Sequence, residues 1–227
     1  CSQKNHKITV FIVGKYTAGN DTYLSVHRAI ELAGYSLNIN VKIVYVTSNN
    51  SQKAIERISN EADAVVIPGG FGNRDLESMI HIAHHCRKIN IPTLGICLGM
   101  QIMCIESARR ILGNKCISAE SIHDVIDSDF ENTHQIISPM NDISWNVKGG
   151  SMRLGNYETV IIKDNTVMSK LYGITTLNER HRHRYEVNSA YIDTIKNGGL
   201  SISAISSAIK CVDVVEDTNN IFYVGCQ

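Results

Sequence analysis

Proline is scarce: Pro68, Pro92 and Pro139 are the 3 in 227 residues, so no Pro-rich linker or hinge divides the chain. Long apolar runs are missing too. Segments such as Ala64–Ile67 and Thr9–Val13 fall far short of the ~20 residues a spanning helix needs, so no membrane partner is expected. Charge of one sign is not in excess. Lys+Arg and Asp+Glu both number 22, which leaves no global field to draw in nucleic acid, a membrane surface or a polyanion. Paired cysteines are absent as well. The 7 cysteines (Cys1, Cys86, Cys97, Cys104, Cys116, Cys211, Cys226) are odd in number and contain no C-x-x-C. That argues against a secreted disulfide framework and against a structural zinc site, and fits a reduced, cytoplasmic setting. The polar start, Cys1 to Lys7, has no signal-peptide pattern, and a chain opening on Cys rather than Met reads as a segment cut from something longer.

What is present is enough apolar material, 43% of residues, for a sizeable core. Ile8–Val13, Val41–Val46, Ala64–Ile67 and Thr93–Ile96 read as strands. Between and after them, Asp21–Ala33 (with Asp21 as cap), Ser51–Ile58, Leu76–Ile89 and Leu98–Leu112 read as helices. This alternation predicts a three-layer α/β domain over residues 1–227, with a mostly parallel central sheet and helices on both faces. The second half reads as mostly β. Strands near Gln135–Ile137, Tyr157–Ile162, Leu200–Ile205, Cys211–Val215 and Ile221–Val224 and a short helix at Val167–Tyr172 predict an antiparallel extension of the sheet edge. The stretch from Asp124 to Asn146 is otherwise polar and irregular. In parallel sheets, sites lie beyond the C-terminal ends of strands, where the loops after Ile67 and Ile96 fall.

Gly95-Ile96-Cys97-Leu98-Gly99 has the G-x-nucleophile-x-G form of a nucleophile elbow. A sharp strand-to-helix turn brings neighbouring backbone close, and glycine on each side permits it. Cys97 then sits at a helix N-terminus, where the dipole and free N–H groups favour thiolate, and the Leu98 N–H can face an oxyanion. Cys86, Cys104, Cys116, Cys211 and Cys226 read as buried apolar residues. Pro68-Gly69-Gly70-Phe71-Gly72 follows the strand beside the nucleophile strand, where glycines let backbone approach a substrate carbonyl, with a plain tight turn as the alternative. It lacks the third glycine of a dinucleotide fingerprint. His81 and His85 have i, i+4 metal spacing but no third ligand, so a polar helix face is expected. Lys15 lacks the Walker context of a phosphate loop. Arg180, Arg182 and Arg184, interleaved with His181 and His183, suit an extended segment with the arginines on one face. Without aromatic interleaving or net charge, no nucleic-acid role is expected for them.

The longer run Gly95 to Gln101 resembles the class I glutamine amidotransferases, which use a Cys-His-Glu triad. Four further segments are similar to the CTP synthase family. They are Val13-Gly14-Lys15-Tyr16-Thr17, Pro68 to Gly72, Ser151-Met152-Arg153-Leu154-Gly155, and Glu179-Arg180-His181-Arg182-His183-Arg184-Tyr185-Glu186-Val187-Asn188. The resemblance implies a glutaminase domain with Cys97 as nucleophile and the N–H groups of Gly70 and Leu98 as oxyanion donors. It implies Phe71 lining the glutamine pocket and Gln101 contacting the substrate. It implies Glu120 on the α-ammonium, and Arg184, supported by Tyr185, on the α-carboxylate. It further implies no cofactor or metal in this domain, with ATP and Mg2+ confined to an N-terminal synthase domain of the same polypeptide, in a homo-oligomeric enzyme that aminates UTP. The family's triad His and Glu follow a Cys-Gln pair, so they are expected after Cys226-Gln227. Where the family has Arg-Gly-x-Glu-Gly, this chain reads Arg74-Asp75-Leu76-Glu77-Ser78. If those glycines supply positive φ, the loop must rearrange. The family links this region to GTP activation, which puts that property in question. Two rival readings stand beside the glutaminase: a binding module that kept the fold without the chemistry, and another class I amidotransferase with a different acceptor.

Overall fold

The computed structural model describes residues 6–16, 21–124, 132–140 and 152–227. Cys1, Thr17, Ser151 and most of the irregular stretch expected between Asp124 and Asn146 lie outside the described residues.

Strands β1 (Lys7–Gly14), β2 (Asn40–Thr47), β3 (Ala64–Ile67) and β4 (Thr93–Ile96) alternate with helices α1 (Leu24–Leu37), α2 (Ser51–Glu61), α3 (Leu76–Lys88) and α4 (Leu98–Leu112). Local chemistry sets several boundaries. The Asn50 side chain accepts from Lys53 N–H at 3.0 Å and starts α2. Asn38 takes the left-handed conformation that ends α1. Asp21 is not the cap expected of it. Its main-chain oxygen accepts from Leu24 N–H at 3.2 Å in a turn, and α1 begins only at Leu24.

The second half holds β5 (Cys116–Ser118), β6 (His134–Pro139), β7 (Arg153–Ile161), α5 (Val167–Tyr172), β8 (Thr176–His183) and β9 (Tyr185–Val187). It ends with α6 (Ile192–Asn197), β10 (Ser201–Ser206), β11 (Val212–Glu216) and β12 (Tyr223–Cys226). Nine strands form one sheet in the order β2-β1-β3-β4-β12-β11-β10-β7-β8. The first five are mutually parallel, and antiparallel pairing runs from β12 to β8. The parallel core with an antiparallel extension is thus as expected, with one difference. The last strand does not lie at the edge. β12 inserts beside β4, in parallel register from Thr93↔Tyr223 to Ile96↔Cys226. A separate three-stranded sheet, β5-β6-β9, was not foreseen.

Helix α4 is covered on all sides from Leu98 to Ala108, and most of that stretch is apolar. Its Met100, Ile102, Met103, Cys104 and Ile105 are buried, and share one core with α3, the central sheet and residues Cys116, Ile136, Ile137 and Val187 of the small sheet. Each such side chain contributes about 1.5–3 kcal/mol. The opposite face of the extension is covered by α5, where Met168 packs on Ala204, Val214 and Val224. The start of α4 can press onto the sheet only because of its glycines. A Cβ on Gly99 would lie 2.1 Å from the Ile67 main-chain oxygen, and one on Gly95 would lie 2.7 Å from the Gly99 carbonyl carbon.

Candidate active site

The sheet ends β4 at Ile96, and the next residue is bent into an unusual conformation. Cys97 has φ 54° and ψ −104°, a strained backbone for a side-chain-bearing residue. It persists because its own N–H and carbonyl are both tied down. Cys97 N–H donates to the Cys226 carbonyl at 2.7 Å, and the Cys97 carbonyl accepts from Gln101 N–H at 3.1 Å in the first turn of α4. The half-buried thiol therefore stands at the C-terminal edge of the parallel strands and at the start of a 15-residue helix.

Gly69 and Gly70, at the end of β3, pass directly beside it. A Cβ on Gly69 would be 3.5 Å from Cys97 Cβ, and one on Gly70 would be 3.2 Å from Leu98 Cδ2. The structure thus brings Gly70 next to Leu98, whose N–H acts on the Cys97 sulfur in favour of its charged form. Phe71 is 41% exposed, and the Arg182 guanidinium lies 5.5 Å above its ring. Gln101, one turn along α4, is buried and donates through Nε2 to the Tyr185 carbonyl at 3.0 Å and to Gln227 Oε1 at 3.2 Å. Glu120 sits in a 3-10 turn, Ala119–Asp124, and accepts from Gly72 N–H at 2.7 Å. Its charge is felt at Cys97, Lys15 and Tyr185 alike. Arg184 lies half-buried at the break between β8 and β9, and its charge reaches Tyr185. Every predicted site residue thus lies on this one edge or next to it.

Two expectations need correction. A helix N-terminus was expected to make Cys97 a ready thiolate. The Leu98 N–H does favour the charged form, but burial outweighs it, and Glu120 adds to burial, so the thiol is pushed up to about 11. Among the described residues no imidazole is a hydrogen-bond partner of the sulfur, whose contact is the Arg182 carbonyl at 4.0 Å. Nor is the loop forced to rearrange by losing glycine. Asp75 itself adopts the left-handed conformation, φ 62° and ψ 12°, which aspartate tolerates better than most residues. Its carboxylate accepts from Ser48 Oγ at 3.3 Å. Ser78 lies within the regular turns of α3.

Sequence reasoning missed three participants. Arg182 was visible only as one of an arginine cluster. Gln227 reaches Gln101 from 126 positions away. Lys15, noted only within a family-like segment and as lacking a phosphate-loop context, is buried and donates through Nζ to the Gly72 carbonyl. Burial lowers it to about 8, against the attraction of Glu120 and Asp75. With Tyr16 Oη on the Phe71 carbonyl at 3.1 Å and Arg74 Nη2 on the Lys15 carbonyl at 2.7 Å, it staples the glycine loop to the end of β1. His85 bonds Ser59 Oγ at 2.8 Å, and among the described residues no three His, Cys, Asp or Glu side chains converge as metal ligands.

A strained cysteine at a strand-to-helix turn, at the N-terminus of a long helix and with a glycine loop packed beside it, defines an α/β protein of the cysteine-nucleophile class. Comparison with known proteins narrows the class. The family model for glutamine amidotransferase class-I matches residues 20–227. CTP synthase from Sulfurisphaera tokodaii is 37% identical over 225 residues, covering 97% of this chain and 41% of that protein. CTP synthase from Buchnera aphidicola is 37% identical over 235 residues, covering 98% of this chain and 42% of that protein. Among solved structures, the Trypanosoma brucei CTPS glutaminase domain with bound acivicin superposes with a TM-score of 0.86 at 34% identity, covering 97% of this chain and 84% of that one. The chain belongs to the class I glutamine amidotransferase family, on the branch of the CTP synthase glutaminase domains. It spans about two-fifths of the length of the curated relatives it matches.

Proposed function

We propose that this chain hydrolyses glutamine to glutamate and ammonia as the glutaminase domain of a CTP synthase. Cys97 Sγ attacks the side-chain amide carbon, and the N–H groups of Leu98 and Gly70 receive the developing oxyanion. The C–N bond breaks, and the thiol proton leaves with nitrogen as ammonia. Water then attacks the thioester, releasing glutamate and restoring the thiol. Gln101 and Phe71 bind the substrate side chain, Glu120 its ammonium, and Arg184 with Tyr185 its carboxylate, the last through a guanidinium fork suited to the task. Lys15 holds the glycine loop in place.

A thiol this reluctant to ionise needs a base. The base is the His of a His-x-Glu following Gln227. Support for this comes from topology: the Cys226 carbonyl accepts from Cys97 N–H, so a segment succeeding Gln227 would start beside the nucleophile. In the whole protein, ammonia passes to a synthase domain that uses ATP and Mg2+ to aminate UTP, in a cytoplasmic homo-oligomer. No cofactor is assigned to the chain itself.

The observation that carries the reading is the strained Cys97 backbone aligned with Gly70 and Leu98. A version extended through the His-x-Glu should hydrolyse glutamine and be alkylated at Cys97 by a glutamine-mimicking electrophile, with both lost in Cys97→Ala. Absence of both in that extended version overturns the proposal. It would favour the binding-module reading, whose one supporting observation is a neutral thiol with no imidazole partner among the described residues.

A further inference from the structure

Strand β8 alternates faces, and opposite its arginines it buries two histidines, His181 and His183, at 4% and 2% exposure. Neither is assigned a part in the chemistry above. Their rings meet, His181 Nδ1 to His183 Nε2, at 3.2 Å, and His183 Nδ1 lies 2.9 Å from the Tyr185 carbonyl. A carbonyl oxygen only accepts, so His183 carries its proton on Nδ1. Its Nε2 is then a lone pair, and the proton between the rings belongs to His181 Nδ1. That leaves His181 Nε2 an acceptor too, and it has no hydrogen-bond partner. For neutral rings the two bonds thus give both histidines the same tautomer, and the groups packed around them decide the neutrality.

Their surroundings enforce neutrality. From β7, Arg153 is fully buried and Tyr157 meets His181 edge-on with centroids 5.8 Å apart. From β11, Asp213 is engaged by both Arg153 Nη atoms, at 2.6 and 3.3 Å, and by Thr159 Oγ1 at 2.7 Å, and Cys211 lies against the same guanidinium at 3.2 Å. The carboxylate that could have stabilised an imidazolium is thus spent on an arginine, and that arginine repels a second cation. On the strand itself Arg182 points outward, and Arg184 and Tyr185 follow at the break. Burial first, and Arg153 with it, hold both histidines down at about 4.

The pair is tied to the reaction site at two points. The Tyr185 carbonyl that accepts from His183 also accepts from Gln101 Nε2, which uses both of its lone pairs. Arg182, between the two histidines, presents its carbonyl to Cys97 Sγ. We propose that His181 and His183 are positioning residues: a neutral, directional couple that aims the Tyr185 carbonyl at Gln101 and the Arg182 carbonyl at the nucleophile, and so sets the affinity for glutamine. The couple deepens the glutaminase reading and rests on it.

The test uses the full-length enzyme. His183→Leu removes the donor to Tyr185 and should raise KM for glutamine about five- to tenfold, with a smaller change in kcat. His183→Asn places an amide N–H where Nδ1 stood and should bring KM back to within about threefold of the parent. A folded His183→Leu with KM within twofold of the parent overturns the proposal, as does a His183→Asn no better than His183→Leu. A purely structural role would lower the unfolding midpoint of both variants without this split. Should His183→Leu not fold, long-range 15N–1H spectra of histidine-labelled parent enzyme at pH 7 decide directly. The Nδ1–H tautomer at both positions is expected, and an Nε2–H tautomer or an imidazolium at His183 refutes the couple. The spectra do not depend on turnover, so failure of the couple and failure of the glutaminase reading are told apart.

Discussion

The most direct probe of the site is the acidity of Cys97. Burial pushes its thiol from 9.0 to about 11, opposed by the Leu98 N–H. Two units correspond to about a hundredfold less thiolate at neutral pH. A more basic thiolate is intrinsically the better nucleophile, and a Brønsted slope of about 0.4–0.5 returns roughly tenfold of that loss. Chloroacetamide should therefore alkylate Cys97 in the 1–227 chain about tenfold more slowly at pH 7.5 than it alkylates a small-molecule thiol. The rate should still be climbing tenfold per pH unit at pH 10. Peptide-level mass spectrometry after timed quenching isolates Cys97 from Cys86, Cys104, Cys116 and Cys211, which are buried. A labelling midpoint below pH 8 would mean that the helix N-terminus dominates burial after all, and would refute the reasoning. The same measurement on a chain extended through the His-x-Glu should show the midpoint fall once an imidazole shares the proton.

Two further outcomes follow from packing and burial. Gly99→Ala drives a Cβ to 2.1 Å from the Ile67 main-chain oxygen, and neither backbone can yield without moving the glycine loop. A loss of about 3 kcal/mol in urea unfolding is expected, with slowed labelling of Cys97 by a glutamine mimic. His181 and His183 both lie below their ordinary 6.5 in the folded chain, at about 4, so between those values the unfolded chain binds more protons. Their contribution to stability is complete above pH 6.5 and is lost as pH falls through that window. It amounts to about 2 kcal/mol for each histidine between pH 7 and pH 5, read as a urea midpoint that slopes less steeply in His183→Asn.

The parts of this fold most legible in the sequence were those where local pattern and tertiary role coincide. Thr93–Ile96 and Leu98–Leu112 were placed to the residue, because an apolar strand, a glycine-flanked cysteine and a long apolar helix each announce themselves. β8 was harder. Its two faces carry arginines and histidines, so neither reads as apolar, and the side chains that meet His181 and His183, Tyr157, Arg153 and Asp213, come from other strands. The insertion of β12 next to β4 was illegible because strand order is a long-range choice that leaves no mark on either segment. Asp75 shows the limit of reading glycines as backbone instructions: a side chain was accommodated at a left-handed position without altering the turn. The direction of the Cys97 shift was misjudged for a related reason. A motif displays the N–H groups around a sulfur but not the depth at which the whole lies.

The place of β12 also bears on how the protein is made. The nucleophile's backbone is held by a strand about 130 positions downstream, and β12 is the last of the described strands to leave the ribosome. Until that segment emerges and threads between β4 and β11, Cys97 has no partner for its amide and the elbow cannot be locked. A nascent or prematurely truncated polypeptide therefore carries an unassembled centre.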